Sequence, residues 1–281
     1  MASSIINSAT TTTTVVSPQW LFGHLQAPDI VIVDCRFALN DPEWGQQQYN
    51  RGHLPGAYFL DLNRDLSRPV SLHGGRHPLP DPIVLADKLN QIGLTAQTLV
   101  VAYDDARFAF AARLWWLLRW LGHERVAVLD GGLPAYLAAG YPLTPDLPPP
   151  RPGQFVPQVQ SEKVVGIDGV RASQDLPDVV LIDAREQERY RGEREPIDPI
   201  AGHIPGAVNY CWKNVTDEQG HLRSPQDLQA YWSEVVSAEE IIVYCGSGVT
   251  ACVNLLALEA AGIKTAKLYA GSWSDWCSYL V

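Results

Sequence analysis

The sequence predicts an α/β protein of two tandem domains, each an open parallel sheet with helices on both faces. Three observations predict it. Short runs rich in valine and isoleucine, the pattern of strands buried on both sides, alternate with helical patterns. One series of motifs occurs twice along the 281 residues. A proline-rich stretch separates the two copies.

Residues 1–17 are small, polar and threonine-rich, and read as a flexible tail whose end Val15 and Val16 anchor. They lack the basic start and apolar core of a secretory signal. The first domain is expected over 18–141. Its strand Val31-Ile32-Val33-Asp34-Cys35-Arg36 is matched by Val180-Leu181-Ile182-Asp183-Ala184-Arg185. Gly52-His53-Leu54-Pro55-Gly56-Ala57 is matched by Gly202-His203-Ile204-Pro205-Gly206-Ala207. The strand Leu99-Val100-Val101-Ala102-Tyr103-Asp104 answers to Glu240-Ile241-Ile242-Val243-Tyr244-Cys245, and Leu129-Asp130-Gly131-Gly132 to Tyr269-Ala270-Gly271-Ser272. The offset is 150 at the histidines and 141 at the tyrosines, so the first copy carries nine extra residues between them. The segment 71–78 is their natural place.

Helical patterns lie over 83–92, 106–121, 135–139, 226–236 and 249–261. The second of these is apolar on most faces and is expected to be buried between the halves. Gly122 and Gly262 fit helix C-caps. Residues 142–157 contain seven prolines, which exclude a helix or a central strand and stiffen the chain into an extended linker. The second domain follows over 158–281.

The net charge of −10 argues against a nucleic-acid or membrane-surface role. No run of 18 apolar residues lacks charges, so no transmembrane helix is expected. The five cysteines are irregularly spaced without a C-x-x-C pair, which offers neither a zinc ribbon nor a thioredoxin-type motif. A reducing cytoplasm is the expected compartment.

Cys245 carries the chemistry. It ends an apolar run and opens Cys245-Gly246-Ser247-Gly248-Val249-Thr250, directly before a helical stretch. Loop amides can turn toward the sulfur there, and the helix dipole favours a thiolate. Ligands of open parallel sheets sit at such strand ends. Phosphate-ester hydrolysis through cysteine requires an arginine six residues on, and that position is Ala251. A cysteine protease wants a histidine near the thiol, and the sequence marks none. Sulfur transfer needs an activated thiolate and an amide nest for the terminal sulfur of a persulfide, and the loop supplies both.

The first copy has Asp104 at this place, followed by a loop without glycine. That half cannot do thiol chemistry, and its loop is not expected to approach an anion in the same way. It reads as a structural partner that closes one wall of the site. The Gly-His-x-Pro-Gly motifs occur in both halves, which favours a structural role for His53 and His203. The Asp–x–Arg pairs are expected to brace the fold. Arg185, Arg189, Arg191 and Arg194 cluster only in the second half, interleaved with glutamates. They form either a solvated charged loop or a grip on an anionic substrate.

These residues together resemble the rhodanese family and, within it, the tandem-domain sulfurtransferases. The resemblance runs from Pro18 to Trp276 and includes both strand–Asp copies, both Gly-His-x-Pro-Gly motifs, the proline linker and the ending Gly271-Ser272-Trp273-Ser274-Asp275-Trp276. It implies two rhodanese-like domains with a catalytically silent first one. It implies that the loop 245–250 is the active site, with Cys245 and Ser247 catalytic and Gly246, Gly248, Val249 and Thr250 lining the substrate. The neutral Gly-Ser-Gly looks like the 3-mercaptopyruvate version of the loop, since the thiosulfate version carries basic residues after the cysteine. The resemblance also implies that Arg189 holds the donor carboxylate. Ile197 falls where a second pocket arginine is usual, with Arg194 as the nearby substitute. His77 fits the histidine of a serine–histidine–aspartate set, whose aspartate place falls on Asn63 with Asp61 and Asp65 nearby.

The expected activity is transfer of a sulfane sulfur from 3-mercaptopyruvate, through a Cys245 persulfide, to cyanide, a thiol or a thioredoxin-like protein. The alternatives are thiosulfate:cyanide sulfurtransfer and a non-turnover persulfide carrier or redox sensor. No metal, cofactor, nucleic acid or membrane is expected to take part.

Overall fold

A computed structural model of the chain describes residues 13–173 and 176–281. The first sheet is built from β1 (Val15–Val16), β2 (Ile30–Asp34), β3 (Tyr58–Phe59), β4 (Leu99–Tyr103) and β5 (Val126–Leu129), in the order β1-β5-β4-β2-β3. Around it lie α1 (Pro18–Gly23), α2 (Trp44–Arg51), α3 (Pro82–Gln91), α4 (Ala111–Trp120) and α5 (Gly132–Ala138). The second sheet comprises β6 (Val164–Val165), β7 (Val179–Asp183), β8 (Val208–Asn209), β9 (Glu240–Tyr244) and β10 (Lys267–Tyr269), in the order β6-β10-β9-β7-β8. Its helices are α6 (Ile167–Ser173), α7 (Gln187–Tyr190), α8 (Pro225–Tyr231), α9 (Ala251–Ala260) and α10 (Ser272–Cys277). All strand pairs are parallel. The threonine-rich segment read as a tail over 1–17 already contributes β1, which pairs Val15 with Val128; residues 1–12 lie outside the described part.

Successive side chains of a strand point to opposite faces, and this divides the apolar residues into three cores. Ile32, Val101 and Tyr103 pack outward with Leu21, Leu133 and Tyr136 of α1 and α5. Leu181, Ile242 and Tyr244 pack on the far side of the other sheet with Val170, Trp273 and Trp276 of α6 and α10. Val31, Val33, Val100 and Ala102 face inward and join Ile182, Ile241 and Val243 in one core shared by both domains, with α4 and α9 in contact at its centre. Every residue of α4 is buried, as its all-round apolar sequence predicts. Gly122 and Gly262 take positive φ of 83° and 91° just past α4 and α9. The following amides, His123 and Ile263, reach back to Leu118 O and Leu258 O at 2.8 Å, closing both helices in the Schellman manner.

The braces expected from the repeated motifs are present twice. Arg36 forks onto Asp34 and also donates to Gly52 O at 2.8 Å. Arg185 forks onto Asp183 and donates to Gly202 O at 2.6 Å. His53 stacks on Tyr49 and bonds its carbonyl, and His203 does the same with Tyr190. The segment 142–157 makes only isolated bridges and lies along the first domain. Thr144 and His53 exchange backbone bonds, and Asn90 bonds both the N–H and the C=O of Phe155.

Two helices depart from the sequence pattern. α8 stops at Tyr231 because the chain tightens into i→i+3 bonds, such as Val235 N–H to Trp232 O. α4 starts only at Ala111, and the cause is Asp104. Its carboxylate accepts the amides of Ala106 (2.9 Å), Phe108 (3.1 Å), Phe110 (2.8 Å) and Ala111 (2.8 Å). Wrapping these donors around one side chain drives Arg107 and Phe108 to φ of 57° and 70°. This loop was expected not to approach an anion as the cysteine loop does, and its amides indeed close on its own carboxylate instead. Burial pushes the Asp104 carboxyl up, and the four amide bonds offset part of that. Asp104→Ala strips four donors, three of them on buried residues, of their acceptor and is expected to cost about 3 kcal/mol or more of stability. Urea unfolding measures it; a loss below about 0.5 kcal/mol would show that the nest closes on itself without the carboxylate.

Candidate active site

Cys245 stands at the carboxyl end of β9 and is 2% exposed. It matches Asp104 at the end of β4 in the other sheet. The frame around the two positions is the same. Leu133 N–H bonds Asp104 O at 2.8 Å, and Trp273 N–H bonds Cys245 O at 3.0 Å. Gly132 and Ser272 take nearly equal positive φ, 59° and 57°. Ser272 Oγ accepts the Cys245 amide at 3.1 Å and donates to Tyr269 O at 2.9 Å, and these bonds hold a non-glycine residue in that conformation. Gly248 has φ of 75°, and a Cβ on it would lie 2.3 Å from Ala270 O.

The difference lies in what the amides meet. In the first domain they converge on Asp104. Among the described residues, the N–H groups of Gly246, Ser247, Gly248, Val249 and Thr250 have no protein acceptor. A negative sulfur beyond Cys245 would complete this nest as the carboxylate completes the other. Among the described residues no cluster of three His, Cys, Asp or Glu side chains could hold a metal ion.

The extra segment of the first domain supplies the opposite wall. Gly74 N–H donates to Asp275 Oδ1 at 2.7 Å, Arg76 N–H to Ser274 Oγ at 3.1 Å, and the His73 ring bonds Ser278 Oγ at 2.8 Å while stacking on Tyr279. A Cβ on Gly75 would sit 2.4 Å from Gly271 O, so only glycine permits this approach. The docking delivers Arg76 and His77. The His77 ring nitrogen Nδ1 lies 2.8 Å from Ser247 Oγ. Burial, then the charges of Arg113 and Arg76, push His77 down to about 3, so its ring is neutral at physiological pH. The carboxylates expected near it are engaged locally. Asp61 accepts the amides of Asn63 and Arg64, and Asp65 accepts the Asp61 amide. Among the described residues no carboxylate bonds His77.

Two guanidiniums converge above Gly246. A Cβ there would lie 3.0 Å from Arg76 Nη2 and 3.5 Å from both terminal nitrogens of Arg189. The absence of a side chain at Gly246 is what leaves them room. Arg189 forks onto Glu195 at 2.7 and 3.2 Å and touches Asp198 at 3.3 Å, while Arg76 pairs with Asp198 from the other side. Burial pushes Glu195 up, but its bonds from Arg189 and the backbone bring it below the usual range. Burial leaves Asp198 raised. Arg194 is exposed and pairs with nothing among the described residues, and Ile197 is exposed too. The second guanidinium above Gly246 is therefore Arg76, from the other domain, where the sequence had offered Arg194. Its residue number gave no sign of this, although segment 71–78 was marked by its length.

The rhodanese-like domain model matches residues 17–139 and 167–279. The chain belongs to the rhodanese family and carries two copies of its domain. A Pseudomonas aeruginosa chain named as a probable 3-mercaptopyruvate sulfurtransferase is 48% identical over 93% of this chain and 94% of its own. A Mycobacterium tuberculosis chain named for thiosulfate sulfurtransfer, SseB, is 40% identical over 92% of each. The crystal structure of SseA from Escherichia coli, described with the rhodanese fold and the 3-mercaptopyruvate enzymes, superposes with a TM-score of 0.82 at 34% identity, over 94% of this chain and all of that one.

The buried neutral His77 has a consequence for stability. The unfolded chain takes up a proton near pH 6.5 that the folded chain refuses until about pH 3. Stability is therefore lost as pH falls through that window, by about 1.4 kcal/mol per pH unit from this group. His77→Gln is expected to lose less stability than the parent between pH 7 and pH 5 in urea unfolding. Parallel losses would mean that the ring accepts its proton in the folded state.

Proposed function

We propose that the chain is a sulfurtransferase that takes sulfur from 3-mercaptopyruvate, with Cys245 as the nucleophile. The observation that carries this reading is the set of unpaired amides around Cys245, beside two guanidiniums that reach over Gly246 from both domains. Arg76 and Arg189 bind the donor carboxylate. The Ser247 hydroxyl, bonded to neutral His77, donates to the keto oxygen. The Cys245 thiolate attacks the donor sulfur, an S–S bond forms, and the C–S bond breaks. The electron pair passes to the enolate of pyruvate, which gains a proton from the Ser247 side. The amides of Gly246 through Thr250 hold the outer sulfur. Cyanide, a small thiol or a reduced protein thiol of the thioredoxin type then attacks that sulfur, and the Cys245 thiolate returns. All five cysteines are free thiols, which fits a reducing compartment, and we assign the chain to the cytoplasm.

Thiosulfate is the second reading, favoured by the name of the 40%-identical relative and by the two cations of the pocket. kcat/KM for both donors separates the two, and the expected order places 3-mercaptopyruvate first. Cys245→Ser is expected to abolish transfer and the added sulfur seen by intact mass on the loaded protein; retained activity sinks the scheme. Arg189→Lys keeps the charge but loses the fork, and should raise KM for 3-mercaptopyruvate about tenfold with a smaller effect on kcat.

A further inference from the structure

α4 is buried on every side, yet it carries two arginines. Arg119 is paired in the ordinary way, with Glu124 at 2.7 Å and Glu259 of α9 at 3.0 Å. Arg113 is not. It is 0% exposed, and among the described residues no carboxylate meets it. Its acceptors are three carbonyls: Gly248 O at 3.0 Å from Nη1, and His77 O at 3.1 Å and Leu66 O at 3.5 Å from Nη2. Its Nε is buried and without a partner. A guanidinium keeps its charge, and burying one without a counter-ion is costly. Burial pushes Arg113 down, while the sulfurs of Cys252 and then Cys245 act the other way.

Those three carbonyls belong to the two segments that make the site. Gly248 lies in the cysteine loop, whereas Leu66 and His77 flank the first-domain segment that lies over it. We infer that Arg113, a residue of the silent domain, is a positioning residue for sulfur transfer at Cys245, fixing the loop amides and His77 in their working orientation. The inference rests on the sulfur-transfer reading above. A peptide unit is planar and trans, so its C=O and N–H point opposite ways. Holding Gly248 O back against Arg113 turns the Val249 N–H away from α4, into the nest. Holding His77 O in the same fork sets the ring that meets Ser247. The unpaired charge beneath the loop favours a negative sulfur above it.

The repeat gives an internal comparison. The offset of 141 places Asn254 of α9 where α4 has Arg113. Asn254 is buried and neutral, with Nδ2 donating to Tyr210 O at 2.7 Å. The loop that holds a permanent carboxylate, Asp104, receives no guanidinium from α9. The loop whose anion arises during the reaction has one beneath it.

Arg113→Gln and Arg113→Lys test the assignment, with thermal unfolding recorded for each. In Arg113→Gln, kcat should fall about tenfold or more while KM for 3-mercaptopyruvate stays within about threefold. Alkylation of Cys245 by iodoacetamide should slow, with its pH–rate profile displaced to higher pH. Arg113→Lys keeps a charge without the fork, and should recover most of the alkylation profile but not the lost kcat. A folded Arg113→Gln with parental kcat and alkylation overturns the inference. So does a loss of kcat with the alkylation profile unmoved in both variants, which a merely structural role would give. Alkylation needs no sulfur donor, so its outcome is separate from failure of the donor assignment. If neither variant folds, the parent protein decides. In arginine-15N-labelled protein the slowly exchanging Nε–H of a buried guanidinium should shift when Cys245 is loaded with sulfur. A spectrum indifferent to loading overturns the inference.

Discussion

The structure depends on one constraint: at the carboxyl end of each central strand the chain turns so that several backbone amides are left without a backbone acceptor. Buried N–H groups must find an acceptor, and the two domains satisfy the demand differently. After β4 the acceptor is built in, as the Asp104 carboxylate with its four amide bonds. After β9 no protein group fills that place among the described residues, and in the proposed reaction the sulfur added to Cys245 would fill it. The left-handed residues Gly132, Ser272 and Gly248, and the bonds from the start of α10 to Cys245 O and Gly246 O, serve that turn. On the proposed reaction, the first domain displays permanently the arrangement that the second would reach only when Cys245 carries sulfur.

The two domains also cap one another. The loop after β8 lies against the Asp104 side of the first domain, where Arg107 bonds Thr216 and Leu222 N–H bonds Asp130. The loop after β3 lies against the Cys245 side and is longer. The added length crosses onto α10 and brings a cation and a neutral imidazole to the thiol. Duplication thus supplied a ready geometry for the lid, and nine residues gave one lid its chemistry.

Much of this was legible in the residues. Val31 and Val180 runs announced the strands, the doubled Gly-His-x-Pro-Gly announced a structural turn, and Cys245 with its glycines marked the loop whose amides stand without acceptors. What was hidden shares a cause. Arg76 lies over Gly246, 170 positions later in the chain, and Arg113 bonds the carbonyl of Gly248. Contacts of that span leave no local period or spacing behind. Arg194 shows the converse: it is near the pocket in sequence, but its side chain is exposed. The late start of α4 was hidden because helical periodicity through residues 106–110 says nothing about a carboxylate that captures their amides.

Charged side chains of the second domain, joined by Arg76 from the first, run in an unbroken alternation: Asp183, Arg185, Glu195, Arg189, Asp198, Arg76. Every cation near the mouth is therefore already occupied. A carboxylate entering there would trade places with Glu195 or Asp198 instead of meeting a bare charge, so the pocket would act as an ion exchanger. On the proposed reaction, keto-acid donor and keto-acid product carry the same carboxylate, and a bare pair of guanidiniums would hold both with equal firmness. Resident carboxylates that reclaim their partners would let such a product go, and would spare a site with two cations from inhibition by what it makes.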